Sequence, residues 1–386
     1  MATTIEIVGA GPAGLAAAIT VAKHGGRAIV YERHRDVGQR FHGDFQGLEN
    51  WTTAGDVLDE FAAMGIEPTF EHTPFRECVF YDPAGREYYY RAARPIWYLT
   101  RRGTEVGTLD QSLKAQALDA GVDIRLGAKK DHLPHGGIVA HGPRRVDAIA
   151  VGYLFETDLA DGAFCAVSDR LAPKGYSYLL VAGGRGTIAS CMFADFHNDK
   201  QYLERTVEFF RRKVDFQMRN ARAFGGYGNV HADRRARKGR ILYVGEAAGF
   251  QDTLFGFGMR YALRSGHLAA RAWLSNKPET YDRLWRGSME NLTRLATVNR
   301  YMYELLGDRG YAFLLRKIER APDVRDWLRV YYTRGRWKLM LHPYVRRHSV
   351  QRKPLVKECV RGCDCTWCRC PDDRTELASA GKRKAS

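Results

Sequence analysis

The chain has 386 residues, 45% of them hydrophobic, and its 60 Lys and Arg against 44 Asp and Glu leave a formal charge of +16. That composition supports a large core, and no run reaches the roughly 18 apolar residues that a membrane-crossing helix needs. A strand beginning within five residues of the start, without a cleavage pattern, predicts a cytoplasmic chain, whose eight cysteines then point to metal or redox chemistry rather than disulfides.

Ile5, Ile7 and Val8 predict an apolar strand, and Gly9-Ala10-Gly11-Pro12-Ala13-Gly14 a tight turn into an Ala-rich helix. A second strand over 28–31 ends on Glu32, with Arg33 beside it. Strand, turn, helix, strand and acid at this spacing make a dinucleotide-binding unit. Gly9 allows the turn, Gly11 lets the backbone approach a pyrophosphate, and Gly14 lets the helix pack on the strand. The amides around Pro12 and Ala13 face the phosphates, and the Glu32 carboxylate accepts from a ribose. A Gly-rich turn without a ligand is the competing reading.

Arg40 follows in the loop Asp36-Val37-Gly38-Gln39-Arg40-Phe41. Strands over 78–81 and 88–90, joined by Asp82-Pro83-Ala84-Gly85, predict an aromatic hairpin. Apolar spacing predicts a helix over 109–120, capped by Gly121, then a strand over 122–126. Further strands are expected over 151–155, 164–167, 178–181 and 187–192, and an amphipathic helix over 206–224. Cys78, Cys165 and Cys191 fall on predicted strands and read as buried, inert thiols. A strand over 240–244 then runs into Gly245-Glu246, and Phe255-Gly256-Phe257-Gly258-Met259 opens another helix.

The first unit and this later segment together resemble the para-hydroxybenzoate hydroxylase-like flavoproteins, most closely the geranylgeranyl reductase family, over residues 4–300. The resemblance implies an α/β fold with a Rossmann-type FAD-binding domain and an inserted mixed β-sheet substrate domain, and composition adds a helical, basic C-terminal region with a Cys-rich tail. Its expected boundaries are 1–74, 97–149 and 225–300 for the FAD domain, and 75–96 with 150–224 for the cavity sheet. Residues 301–357 are expected to form the helical basic region and 358–386 the tail. FAD is the implied cofactor, with Glu246 after Gly245 touching the ribityl chain. Gly256, Gly258 and Met259 would lie against pyrophosphate and isoalloxazine. Arg40 matches a loop Arg that approaches the cofactor, though a solvated Arg is the plain alternative, and Arg102 or its neighbour Arg101 matches the Arg before the third helix.

Several positions depart from the family pattern. Glu246 replaces the usual Asp, and Asp252-Thr253-Leu254-Phe255 lacks the usual Pro. His141-Gly142-Pro143 stands where many hydroxylases carry an Asp-Gly pair that handles the nicotinamide donor. The electron donor is therefore either NAD(P)H or a protein. Tyr176-Ser177-Tyr178 partly resembles a Gly-Tyr-x-Trp signature found opposite the flavin; both tyrosines are otherwise ordinary strand aromatics. The resemblance implies reduction of double bonds in a hydrophobic, polyprenyl-like substrate, with Tyr176, Tyr178, Asp44 or Glu49 as candidate proton donors. A monooxygenase acting on an aromatic or isoprenoid compound is the alternative, and a flavoprotein electron-transfer or metal adaptor a further one.

Residues 309–386 hold 20 Lys and Arg against 8 Asp and Glu, most of the chain's excess charge. Trp327, Tyr331, Tyr332 and Trp337 interleave with arginines there, a pattern suited to peripheral contact with the anionic inner face of a membrane. A helix packed on the core with a solvated basic face fits the same residues. No nucleic-acid module is recognisable, and no nucleic-acid partner is expected. Cys359, Cys363, Cys365, Cys368 and Cys370 are close enough to converge on one ion or cluster, zinc by first choice and iron-sulfur by second. A redox-sensitive tail with incidental cysteines is the bland alternative. Elemental analysis of anaerobically purified protein is expected to find near-stoichiometric zinc or iron, lost with FAD retained when Cys363 and Cys365 are both changed to Ser; metal-free parent protein would return the cluster to the bland reading.

Overall fold

The computed structural model describes residues 4–143, 146–230, 236–349 and Trp367. Three sheets organise it. In the first, β1 (Thr4–Val8) pairs in parallel with β2 (Arg27–Tyr31) on one side and β9 (Gly137–Val139) on the other. β8 (Asp123–Arg125) extends this sheet beyond β2, while β16 (Ile241–Tyr243) and the antiparallel β15 (Arg237–Lys238) extend it beyond β9. Helices α1 (Pro12–Lys23), α3 (Leu109–Asp119) and α5 (Met259–Leu274) pack together with this sheet in one apolar core.

Two glycines bring α1 close to its neighbours. A methyl at Gly14 would sit 2.0 Å from the Gly9 carbonyl oxygen, and one at Gly266 would sit 2.0 Å from that of Ala13. Backbone lies at both contacts, so neither site could take a side chain without moving the helix. The first turn of α1 is thereby pressed between the end of β1 and helix α5.

The second sheet has seven strands in the order β14-β10-β13-β12-β11-β5-β6. Their ranges are β5 (Glu77–Tyr81), β6 (Glu87–Arg91), β10 (Ala148–Glu156), β11 (Gly162–Ala166), β12 (Tyr176–Ala182), β13 (Arg185–Met192) and β14 (Arg219–Gly228). Side chains alternate across a strand, so the sheet has two distinct faces. One packs on α4 (Asp199–Lys213), where Thr206 hydrogen-bonds both Ser177 and Ser190. The other carries Tyr88, Tyr90, Cys78, Phe80, Cys165, Tyr176, Tyr178 and Cys191 in register from strand to strand.

The third sheet, β3 (Phe45–Glu49), β7 (Trp97–Arg101) and β4 (His72–Phe75), joins the other two. The Phe45 N–H donates to Thr187 Oγ1 on β13 at 3.1 Å. Short α2 (Val57–Ala63) follows β3, and α6 (Tyr281–Trp285) follows α5. The chain then forms α7 (Asn291–Glu319), broken at Gly307 where φ is +55°, then α8 (Val324–Thr333) and α9 (Arg336–Ser349).

The structure changes two expectations about elements. Residues 206–224 are not one helix: α4 ends at Lys213 and β14 begins at Arg219, so the sheet runs past the boundary expected at 224. The aromatics of the basic region also divide. Tyr332 is buried, Trp327 and Tyr331 stack on each other against the core, and of the four only Trp337 is mainly exposed. The five tail cysteines from Cys359 to Cys370 lie outside the described residues. Trp367 among them is described: it is buried on the α4 side of the sheet, its indole N–H donating to the Phe196 carbonyl at 3.3 Å. Among the described residues no helix is long and apolar enough to cross a membrane, and no cluster of three or more His, Cys, Asp or Glu could hold a metal ion.

Candidate functional site

The site begins at two helix ends. Helix α1 starts at Pro12 behind Gly11, and α5 starts at Met259 behind Gly258; neither has a side-chain cap or an acidic residue in its first turn. Uncapped first turns leave backbone amides and the positive dipole end free for an anion. Gly245, held at φ +56°, joins the two: a methyl there would lie 2.9 Å from Ala13 Cβ and 3.6 Å from Ala262 Cβ. A Cβ at Gly11 would meet nothing within 4 Å, which leaves a cradle directly over the start of α1. Gly9 at φ +101° makes the turn into it, its missing Cβ filled by the Ala140 carbonyl.

Glu32 closes one end of this cradle. Its carboxylate accepts from the Ala10 and His34 N–H groups, each at 2.9 Å, which fixes it at the carboxyl end of β2 beside the glycine turn. Arg33 is exposed at the same strand end. At the other end, Glu246 and Arg40 form a 2.6 Å ion pair. Glu246 also accepts from the Asn229 N–H at 2.9 Å, and Arg40 donates to the Tyr227 carbonyl. Two residues 206 apart in sequence thus meet where β14 returns to the first domain. Arg102 is used differently: its guanidinium makes two hydrogen bonds to buried Asp110, at 2.8 and 2.9 Å, and lies 4.1 Å over the Phe41 ring. It braces the loop that carries Arg40. Arg101 is likewise engaged, by Glu71 and Glu105.

The loop between Gly249 and Gly258 carries the next wall. Gly256 stands at φ +82°, and the Gln251 amide donates to its carbonyl at 2.7 Å. The buried Asp252 carboxylate accepts from Leu254 and Phe255 N–H, and the Tyr332 hydroxyl lies 3.4 Å away. Burial pushes the Asp252 carboxyl up to about 7, against the pull of the Phe255 and Leu254 amides. Phe257 reaches Gly47 on β3, where a methyl would lie 2.8 Å from its ring, and meets Trp51 edge-on at 5.0 Å. Trp51 Nε1 is buried without a hydrogen-bond partner among the described residues.

Opposite stands the Tyr–Cys face of the seven-stranded sheet. Tyr176 donates to the Phe255 carbonyl at 2.6 Å, tying the sheet to this loop. The Cys191 thiol lies within hydrogen-bonding reach of both Tyr176 and Tyr178. Burial pushes this thiol up to about 12, opposed by the two tyrosines, and burial likewise raises both phenols well above their ordinary value. The Asp44 carboxylate, one residue before β3, acts on Tyr178 and Cys191 while itself accepting from the His42 N–H and the Gln46 amide at 3.0 and 2.8 Å.

The structure therefore brings Tyr176, Tyr178 and Asp44 together and separates Glu49 from them. The Glu49 carboxylate faces the buried Arg260 guanidinium at 3.3 Å and accepts from the Thr52 hydroxyl and the Trp51 N–H at 2.8 and 3.2 Å. It is an anchoring anion with its lone pairs engaged, not a placed proton donor. Cys191 corrects the sequence reading the other way: Cys78 and Cys165 are buried, but Cys191 is only half-buried and contacts both candidate tyrosines. The period-two pattern shared with Tyr176 and Tyr178 held that signal, once strand pairing set Tyr176 opposite Cys191.

A model of the NAD(P)-binding Rossmann-like domain family matches residues 7–46. No curated protein matches the sequence. Among solved structures, a geranylgeranyl bacteriochlorophyll reductase-like protein from Thermoplasma acidophilum superposes with a TM-score of 0.63 at 19% identity, over 90% of this chain and 98% of the other. The flavin-dependent brominase Bmp2 also superposes at 0.63, with 16% identity over 91% of this chain and 100% of that one. A 2-methyl-3-hydroxypyridine-5-carboxylic acid oxygenase matches at 0.52, with 14% identity over 78% and 93%. The chain shares the fold of these proteins.

Two outcomes follow from the geometry. Gly11→Val puts a side chain into the open cradle, where its Cβ meets no protein atom within 4 Å, so it is expected to abolish flavin binding while circular dichroism and thermal unfolding stay near wild type; full flavin occupancy in the variant would place the phosphates elsewhere. For Asp252, the folded carboxyl titrates near 7 and the unfolded one near 3.9. Between these values the folded state binds a proton that the unfolded chain has lost, so this contribution favours folding in acid and disappears as pH rises through about 7. Asp252→Asn removes this titration while its single oxygen still accepts from one of the two amides, and between about pH 5 and about pH 8 its Tm is expected to change less steeply than that of the parent.

Proposed function

We propose that the protein is an FAD-dependent oxidoreductase that reduces carbon–carbon double bonds of a hydrophobic, polyprenyl-like substrate. The observation that carries this is the wall facing the cofactor cradle: Tyr176, Tyr178, Phe255, Phe257 and Trp51 form an aromatic surface, with thiols beside it. The cradle fits a dinucleotide by its open Gly11 position, its two uncapped helix starts and the Glu32 carboxylate. Glu32 would hold the ribose, the first turns of α1 and α5 the diphosphate, and Glu246 with Arg40 the segment nearer the sheet. When bound, the flavin supplies hydride transfer from N5.

The chain's own residues then bind and orient the substrate and supply a proton. An apolar chain laid along the Tyr–Cys face is desolvated by the aromatic rings, and Tyr176, committed to the Phe255 carbonyl, holds the wall in place. Tyr178 has its hydroxyl beside Cys191 and is the proton source we assign, with the phenol kept protonated at neutral pH by burial first and by Cys191 and Asp44 next. A monooxygenase is the second reading, supported by the superposition on an oxygenase and on a brominase, and it needs no protein acid at this face. The tail cysteines belong to the proposal only as a separate metal or electron-transfer site.

The decisive measurement is turnover of a polyprenyl substrate with chemically reduced protein under anaerobic conditions, followed by mass spectrometry. Gain of two mass units per reduced bond supports the reductase. In a parallel aerobic reaction, product carrying an added oxygen, formed with stoichiometric oxygen consumption, supports the monooxygenase. Tyr178→Phe is expected to slow reduction roughly 100-fold or more with flavin content unchanged, in the range of a lost general acid.

A further inference from the structure

The outward face of the C-terminal helices is not used by the site described above. On α7, Leu305 is 70% exposed, and Leu306 and Phe313 also stand in solvent. On α9, Met340 is 80% exposed, together with Trp337, Leu341 and Tyr344. The two helices pack on each other, joined by the Lys338 ammonium on Asn299 Oδ1 at 2.7 Å and by the Tyr301 and Tyr344 rings at 6.4 Å. Seven bulky apolar side chains on one helix pair are more than scattered surface exposure, which in a folded chain is usually solitary.

Basic residues surround them. Arg309, Arg316 and Lys317 are exposed on α7, Arg320 just after its end, and Arg336, Arg346 and Arg347 on α9. Helix α9 contains no acidic residue. Arginines flanking Trp, Met, Leu and Tyr match a helix lying in a headgroup layer, with apolar side chains below the phosphates and guanidinium groups at their level. A second copy of the chain would bring two sets of like charges together, and a polyanion without an apolar phase would leave Met340 and Leu305 in water.

We propose that α9 and the outward residues of α7 form a docking surface for anionic lipid bilayers. The surface stands on these exposures and charges alone and does not rest on the reductase reading. It would hold the protein reversibly at the membrane, because attachment combines shallow apolar insertion with a screened electrostatic attraction.

The test is flotation of the full-length flavoprotein with vesicles of phosphatidylcholine, alone or mixed with phosphatidylglycerol, at low and high salt. Binding is expected only with phosphatidylglycerol and is expected to fall steeply as salt rises. Met340→Glu combined with Leu341→Glu should reduce partitioning at least tenfold at unchanged flavin spectrum and Tm, since both side chains already face solvent. Arg346→Gln with Arg347→Gln, which leaves the apolar residues in place, should reduce it roughly thirtyfold at low salt. Four results would overturn the proposal: equal binding to pure phosphatidylcholine; no binding to either vesicle; variants that bind as the parent does; or parent protein that self-associates or retains nucleic acid through this face, with the variants abolishing that contact instead.

Discussion

Arg260 has to be charged, and it has to be buried. It lies in the first turn of α5, is 2% exposed, and meets Glu49 from β3 and Glu60 from α2, with the Thr52 and Thr53 hydroxyls completing its donors. Burial tends to push the Glu60 carboxyl up, but the Arg264 hydrogen bond and the Arg260 charge outweigh it and hold Glu60 below its ordinary range. Such a buried cluster contributes little net stability compared with a well-packed apolar one, yet removing one member strands a charge at a cost of about 3–5 kcal/mol. What it fixes is geometry. One guanidinium sets where α5 begins relative to β3, and hence where the glycine loop lies relative to the seven-stranded sheet.

The rest of the site depends on that registration. The α5 start can share Gly245 with the α1 start only if α5 also lies close along α1, which Gly266 permits. Arg300 on α7 extends the same logic to the far side, donating to the Leu254 carbonyl at 3.0 Å and to the Lys174 carbonyl while lying 3.5 Å over Phe193. Two buried arginines therefore hold the loop 249–258 between them through backbone and carboxylate oxygens. The loop's aromatic side chains are left to meet Trp51 and Tyr176.

The parts of this arrangement written locally were legible in the sequence. Gly9 takes the positive φ its turn needs and Gly14 packs on the Gly9 carbonyl, both within one strand-helix-strand unit, and the aromatic hairpin follows from alternation and its turn. What was not legible depends on partners far along the chain. Glu49 looks like a free carboxylate until Arg260, 211 residues later, is placed beside it. The polar strand β14, with Arg219, Asn220 and Arg222 in its exposed half, has little β-propensity and exists because β10 offers it an edge. The strands β3, β4 and β7 are short and are interrupted by Gly47 and Pro74, the latter tolerated on an edge strand. Trp327, Tyr331 and Tyr332 read as an interfacial cluster because amphipathic periodicity does not say which face is inward, and the core claimed them.

The two-faced sheet has a consequence for how this protein can change. Its α4 side, with Leu179, Val181, Ile188 and the Ser177–Thr206–Ser190 contacts, packs on the helix, and its other side, with Tyr176, Tyr178 and Cys191, meets the loop 249–258. Because neighbouring residues of one strand belong to opposite sides, the two sets are interleaved in sequence yet touch different partners. Substitutions in one set need not disturb the other. The Tyr–Cys face can be reshaped by altering every second residue, while the scaffold that positions it is inherited unchanged.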